Sequence, residues 1–196
     1  MNEQSLVLIK PDGVRRALVG KIISRFEEAG LKILAMKMLV AEKFLAENHY
    51  QLDETWAQNV YAKTKNSYEK DGKKFPYKSA LEYGRTIQSW NMKFLCEGPV
   101  IALVIEGPHA IEIIRKMIGS TEPRQAPPGT IRGDFAAIES YAVADSKRRV
   151  LRNLTHASDS PENARREIAL WFKPEEIHSY KSAHDIYLEH VENSKN

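Results

Sequence analysis

The chain has 196 residues, 42% of them hydrophobic and 28% charged, with a formal net charge of +3. That composition suits a globular protein with enough chain for a real core, and so small a charge excess does not argue for a nucleic-acid partner. One cysteine excludes an intrachain disulfide and a cysteine-based zinc framework and fits a reducing cytoplasm, no stretch approaches the roughly 20 apolar residues of a membrane span, and the opening MNEQSLVLIKPDG, with no basic lead-in, does not read as a signal peptide.

In chain order, "SLVLI" at 5–9 is a short apolar run stopped by Pro11 and Gly13, which predicts a buried strand. Leu18, Ile22, Ile23 and Phe26 fall at helical spacing within 14–30, and Gly30 is the expected C-cap. A strand follows over 31–40 and a short helix over 42–51. The stretch 52–85 is polar, rich in Tyr and Lys and without a strong period; it reads as a segment inserted into the domain, with some helix, packed on the surface. "RTIQSWNMKFLCEG" predicts a helix and "PVIALVIEG" a central strand. "PHAIEIIRKMIG" predicts a helix with Pro108 at its start and Gly119 at its end. A proline-rich loop follows over 120–135, then "FAAIESYAVA" as the fourth strand. Ser160 and Pro161 open a helix that Lys173 and Pro174 stop, and the tail to residue 196 is expected to be partly helical and then to fray. This alternation predicts a single domain over 1–196 of the α+β class: a ferredoxin-like βαββαβ sandwich, its antiparallel four-stranded sheet covered by helices on one face, with an inserted helical segment.

No Walker A pattern and no G-x-G-x-x-G after a strand occurs. Phosphates would have to be held by side chains at element ends. Lys10 follows the first strand in "KPDG", Arg115 lies on a helix with Thr121 just beyond it, and Arg132 is in the turn "TIRGD". Lysine offers a point charge and arginine a fork for two phosphate oxygens, although each residue alone reads more readily as a solvated charge. His156, in "RNLTHASDS", is either a surface loop histidine or a nitrogen nucleophile. For the second role one ring nitrogen must be free and the other must donate to a fixed acceptor; Glu167 on the following helix is the candidate acceptor, with Ser158 or Asp159 helping to place the site. The helix start after His156 adds a positive dipole end that favours a phosphorylated group. The histidines show no metal-ligand spacing.

Five stretches occur together and in order: "LIKPDGVRRALVGKIISRFEEAG", "GPVIALVIEG", "PGTIRGDF", "RNLTHASDS" and "EIALWFKPEEI". Over most of its length the chain resembles the nucleoside diphosphate kinase family. The resemblance implies the ferredoxin-like core and transfer of a γ-phosphoryl group from a nucleoside triphosphate, typically ATP, to a nucleoside diphosphate. It implies a ping-pong route through a phosphohistidine, with Mg²⁺ carried in on the nucleotide. His156 matches the phosphorylated histidine, Lys10 a lysine on the transferring phosphate and Tyr50 a tyrosine beside the active site. Arg115, Thr121 and Arg132 match phosphate-binding positions, and Asn153 the asparagine that contacts the sugar. Ser158 matches a serine of the catalytic hydrogen-bond network and Glu167 the glutamate that orients the histidine ring.

Two positions depart from the family pattern. Ala157 stands where the family commonly has glycine, and Ile87 where it stacks an aromatic residue on the base, with Trp90, Trp56 and Tyr83 as possible replacements. The segments about 52–85 and 140–150 read as insertions. The resemblance further implies homo-oligomers, dimers assembled into tetramers or hexamers, with "RQAPPGTIRGD" as a subunit-contacting loop. The competing readings are a catalytically weakened nucleotide-binding protein on the same fold, and nucleic-acid binding through Lys63–Lys78 and Lys147–Arg149, charges that otherwise read as a solvated face.

Overall fold

A computed structural model describes residues 2–70 and 72–187. Four strands, β1 (Asn2–Ile9), β2 (Lys32–Val40), β3 (Pro99–Pro108) and β4 (Thr155–Ala157), form one sheet in the order β2-β3-β1-β4. All three pairings are antiparallel. The helices are α1 (Pro11–Arg15), α2 (Val19–Glu28), α3 (Lys43–His49), α4 (Glu54–Lys70), α5 (Ala80–Cys96), α6 (Ala110–Ile118), α7 (Ile131–Ala136), α8 (Tyr141–Ser146) and α9 (Pro161–Trp171).

Helices cover both faces of this sheet, not one. Val7, Ile9, Leu103 and Ile105 bury with Ile22 and Phe26 of α2 and Ile114 of α6. Leu6, Leu8, Ala102 and Val104 bury with Leu95 of α5 and Ile168 and Trp171 of α9. Successive strand residues face opposite sides, so a strand covered on both sides is apolar at every position, as "LVLI" is. Each such side chain contributes about 1.5–3 kcal/mol when fully buried.

Three other expectations need correction. The helix expected over 14–30 is two helices, broken at Arg16–Leu18, where Ala17 takes a left-handed φ of 54°. Pro108 ends β3 and does not start α6, whose N-cap is the left-handed His109. "FAAIESYAVA" is not a strand. Thr130 accepts from Gly133 N–H and Ser140 from Val143 N–H, so two N-caps start α7 and α8 across it. The fourth strand is β4, three residues long, and it carries His156. Residues 183–187 make one further helical turn, and the fraying expected over 188–196 lies outside the described residues.

Helix α4 shows why 52–85 has no apolar period. Its inward side chains are hydrogen-bonded: Thr64 Oγ1 accepts from Tyr83 Oη at 3.2 Å, Ser67 Oγ donates to Glu122 Oε1 at 3.0 Å, and Tyr68 Oη donates to Asp145 Oδ2 at 3.0 Å. Helix α5 begins at Ala80 behind the N-cap Ser79, five residues before the expected start.

Gly133, in α7, packs so close to the Pro127 carbonyl oxygen that an added Cβ would overlap it. Gly133→Ala is therefore expected to cost about 1–3 kcal/mol, read as a fall of several degrees in the thermal unfolding midpoint.

Candidate active site

The site is assembled where β1 ends. Lys10 follows the strand, and its N–H donates to the Leu154 carbonyl at 2.8 Å. Asp12 Oδ2 accepts from Leu154 N–H at 3.1 Å. Leu154 itself has a φ of 67°, a conformation a branched side chain rarely takes. It is held there from both ends by the "KPDG" turn. Gly13 belongs to the same brace: a Cβ on it would meet Ile9 Cγ2 at 2.7 Å and the Leu154 carbonyl at 3.3 Å.

From this brace β4 runs antiparallel to β1, with His156 opposite Leu8. Strand alternation turns His156 to one face and Ala157 to the other, where its methyl joins the core cluster of Val7 and Ile9. His156 Nε2 lies 3.1 Å from both carboxylate oxygens of Glu167. Ser158 Oγ donates to Glu167 Oε2 at 2.6 Å and accepts from Leu6 N–H at 3.1 Å. Glu167 sits on the buried stripe of α9 with Ala164, Ile168 and Trp171. Burial alone would raise its pKa, but His156 and the Ser158 hydrogen bond outweigh burial and hold it at about 2. Among the described residues Nδ1 of His156 makes no hydrogen bond, and the side chain is 24% exposed.

Cations converge on the same place. Lys10 Nζ donates to Asn153 Oδ1 at 2.6 Å. Burial, with Arg132 and Arg152 adding to it against the pull of Asp12, lowers the Lys10 pKa to about 7. Arg132 lies in the first turn of α7, not in an open turn. It donates from Nε to the Asn153 carbonyl at 3.1 Å, from Nη1 to that of Gly119 at 2.9 Å and from Nη2 to that of Thr155 at 2.8 Å. Burial lowers its pKa to about 10. A guanidinium has five N–H donors, so two remain free. Asn153 Nδ2 donates to the Thr121 carbonyl at 2.8 Å. The Tyr50 hydroxyl is buried without a hydrogen-bond partner, and burial raises its pKa.

A cavity of about 1090 Å³ opens over these groups. Its lining includes Lys10, Tyr50, Ile87, Arg115, Thr121, Arg132, Asn153, His156 and Glu167; Ser158 is fully buried behind Glu167. Trp56 and Tyr83 line the cavity beside Ile87, and Trp90 does not. Tyr83 is itself fully buried. Two residues escaped the sequence reading. His49 lines the cavity with its ring 4.4 Å from that of His156, and Trp171 Nε1–H donates to His49 Nδ1 at 3.3 Å. The available signal was a histidine beside Ala46 on the buried side of α3, immediately before Tyr50. His49, His156 and Glu167 bring three possible metal-ligand atoms within 4.8 Å of one another.

The nucleoside diphosphate kinase family model matches residues 3–71 and 73–177. The chain belongs to the nucleoside diphosphate kinase family. A nucleoside diphosphate kinase of Pyrobaculum aerophilum is 45% identical over 179 residues, 89% of this chain and 97% of its own. That of Pyrococcus furiosus is 40% identical over 193 residues, 98% of this chain and 97% of its own. A crystal structure of an NDP kinase from Pyrobaculum aerophilum superposes with a TM-score of 0.86 at 42% identity, covering 91% of this chain and 100% of that one. A transition-state mimic of the Borrelia burgdorferi nucleoside diphosphate kinase, with bound vanadate and ADP, gives 0.76 at 36% identity, covering 95% and 96%.

Because the Glu167 pKa is depressed, its stabilising contribution is present above its ordinary value near 4.5 and is lost as pH falls toward about 2. In chemical denaturation at pH 5 and at pH 2.5, Glu167→Gln is expected to lose less stability between the two than the wild type does. An equal loss in both proteins would disprove the assignment.

Proposed function

We propose that the protein is an active nucleoside diphosphate kinase that moves the γ-phosphoryl group of a nucleoside triphosphate, typically ATP, to a nucleoside diphosphate through a phosphohistidine at His156. One observation carries this reading: the Glu167 carboxylate engages Nε2 and leaves Nδ1 unengaged beside a cavity lined by Lys10, Arg115 and Arg132.

The Nδ1 lone pair attacks the γ-phosphorus in line. The bond to the β–γ bridging oxygen breaks, and the nucleoside diphosphate leaves with that electron pair. The ring becomes cationic, with its proton kept on Nε2, and Glu167 supports that charge. A β-phosphate oxygen of a second nucleotide then takes the phosphoryl group, the N–P bond breaks, and His156 is restored. The two half-reactions use one site in turn. Phosphoryl transfer needs positioning and charge neutralisation above all. Lys10 and the two free N–H groups of Arg132 meet phosphate oxygens, Arg115 and Thr121 meet them at the mouth, and Asn153 meets the sugar. Tyr50 packs beside the reacting ring. Ile87 clamps the base, with Trp56 the nearest aromatic candidate on the cavity wall.

Mg²⁺ fits as a passenger of the nucleotide. The cavity offers cations at its phosphate end, and among the described residues the one metal-like grouping contains the nucleophile itself. Such an ion binds through substrate phosphates and waters and, when bound, neutralises their charge.

The same reading includes a homo-oligomer built on a dimer. Strand β2 is a sheet edge on which Met36, Met38 and Val40 stand 57–60% exposed, while the segment after α9 covers its earlier part, His178 N–H donating to the Leu34 carbonyl. Pro127–Gly129 are exposed, as a subunit-contacting loop requires. The setting we assign is the cytoplasm; no helix among the described residues is long and apolar enough to cross a membrane, and Cys96 is free.

Incubation with γ-³²P-labelled ATP and Mg²⁺ is expected to place an acid-labile, alkali-stable label on wild type that chases onto added GDP or UDP, and none on His156→Ala. No label on wild type disproves catalysis; equal label on the variant disproves the assignment to His156. A second expectation concerns Lys10. Mostly neutral above pH 7 in the free protein, it should be reprotonated by an arriving phosphate anion. Calorimetric titration with ADP at pH 8 in buffers of different ionisation enthalpy should show proton uptake, and Lys10→Met should abolish it.

A further inference from the structure

Beside His156 lies a second imidazole that the transfer does not use. His49 is 4% exposed, and its ring stands edge-on to that of His156 at 81°, with Tyr50 and Trp171 also packed edge-on against it. Trp171 Nε1–H donates to its Nδ1. A neutral imidazole that accepts at one nitrogen carries its proton on the other. The His49 Nε2–H is therefore a donor, and it is buried with no hydrogen-bond partner. A buried donor left unpaired is destabilising, so stability does not account for it. The tautomer also disfavours a metal: ligation at Nε2 needs the lone pair that the Trp171 hydrogen bond has replaced with a proton.

The second observation concerns freedom in His156. Rotation about its Cβ–Cγ bond moves both ring nitrogens, Nδ1 through the wider arc because it lies farther from the rotation axis than Nε2 does. Such sp³–sp² torsions are broad. The Glu167 bond at Nε2 holds the atom that moves less, and the edge-on contact with His49 limits the swing of the one that moves more.

We infer that His49 is a positioning residue for His156, a neutral ring that sets the plane of the nucleophile and keeps positive charge away from it. This rests on the phosphohistidine reading above. The groups facing His49 are His156 on β4, Glu167 and Arg166 on α9, Lys10 after β1, and its neighbour Tyr50. Burial, His156, Lys10 and Arg166 all hold its pKa well below the ordinary value, with Glu167 alone opposing them. Trp171 adds to this, because an imidazolium could not accept its N–H.

The test is rapid-quench phosphorylation of His156 by ATP in wild type, His49→Ala, His49→Phe and Trp171→Phe, with ADP affinity and unfolding midpoint measured on each. His49→Ala should slow phosphorylation by between about 10- and 100-fold while ADP affinity stays within about twofold of wild type. His49→Phe, which keeps a ring edge, should recover at least half of that loss on a logarithmic scale. Trp171→Phe should shift the acid limb of the rate to higher pH, because His49 is then protonated more easily. A folded His49→Ala protein that phosphorylates at the wild-type rate overturns the inference. So does a rate loss matched by an equal loss of ADP affinity, a failure of His49→Phe to recover any rate, or an unmoved acid limb in Trp171→Phe. If wild type itself takes no label, the parent reading falls and this one with it, so the two failures are distinguishable.

Discussion

The site depends on how the backbone from Asn153 to Thr155 is tied down. Its three carbonyls are all taken: Arg132 holds those of Asn153 and Thr155, and the Lys10 N–H holds that of Leu154. The Leu154 N–H is taken by Asp12. A left-handed leucine is strained on its own, and it persists here because the surroundings over-determine it. The consequence is geometric. Once Leu154 is fixed, β4 leaves it in register with β1, His156 falls opposite Leu8, and the ring meets Glu167. The groups that position the nucleophile are thus the groups that would contact the phosphates, so the scaffold and the binding site cannot vary independently.

That economy has an electrostatic cost. Lys10 and Arg132 are both buried; burial lowers the proton affinity of each, Arg132 lowers that of Lys10 further, and Asp12 is the nearby counter-charge to both. The cluster is therefore short of negative charge. On the proposed function an anionic phosphate would relieve that shortage directly, which would convert a stability deficit into binding selectivity for polyanions. On the far side of His156 the balance is reversed: Glu167 stays ionised although largely buried, because Ser158 and the imidazole both stabilise its carboxylate. His156 sits between a cationic and an anionic wall, an arrangement suited to the proposed transfer of a negative phosphoryl group to a neutral nitrogen.

Legibility in the sequence followed burial. The β1 run, the α6 stripe and the α9 caps announced themselves because each obeys one local rule. Glu167 was legible as a candidate acceptor on the helix that follows His156 and as a match to the family's ring-orienting glutamate. The fourth strand was not, since three residues cannot show a period, and its polar composition reflects service to the site instead of packing. "FAAIESYAVA" misled for the opposite reason: its largely apolar composition suits a strand, but Thr130 and Ser140 cap helices across it, and local capping prevailed. Ile87 does reach the cavity, yet nothing in the sequence could tell Trp56, which lines it, from Trp90, which does not. His49 escaped because its significance lies in a contact with residues more than a hundred positions away.

The stretch 52–85 was illegible for a physical reason that also bears on its role. Helix α4 is bound to its neighbours through two carboxylates, one buried and one half-buried. Glu122, 3% exposed, accepts from Ser67 Oγ and Tyr141 N–H, joining α4 to α8 and to the loop that carries Thr121. Asp145 accepts from Tyr68 on α4 and lies within reach of Tyr83 on α5. Polar seams of this kind give less stability than apolar ones, but they are directional, and each partner left alone would be a buried unsatisfied group. A wall held by such bonds has one arrangement and little tolerance for neighbouring ones. On the proposed function, a single arrangement of the wall would help to keep the sugar and phosphates in register with His156. On this argument, the polarity that hid the helix from periodicity is the property that lets it define the cavity.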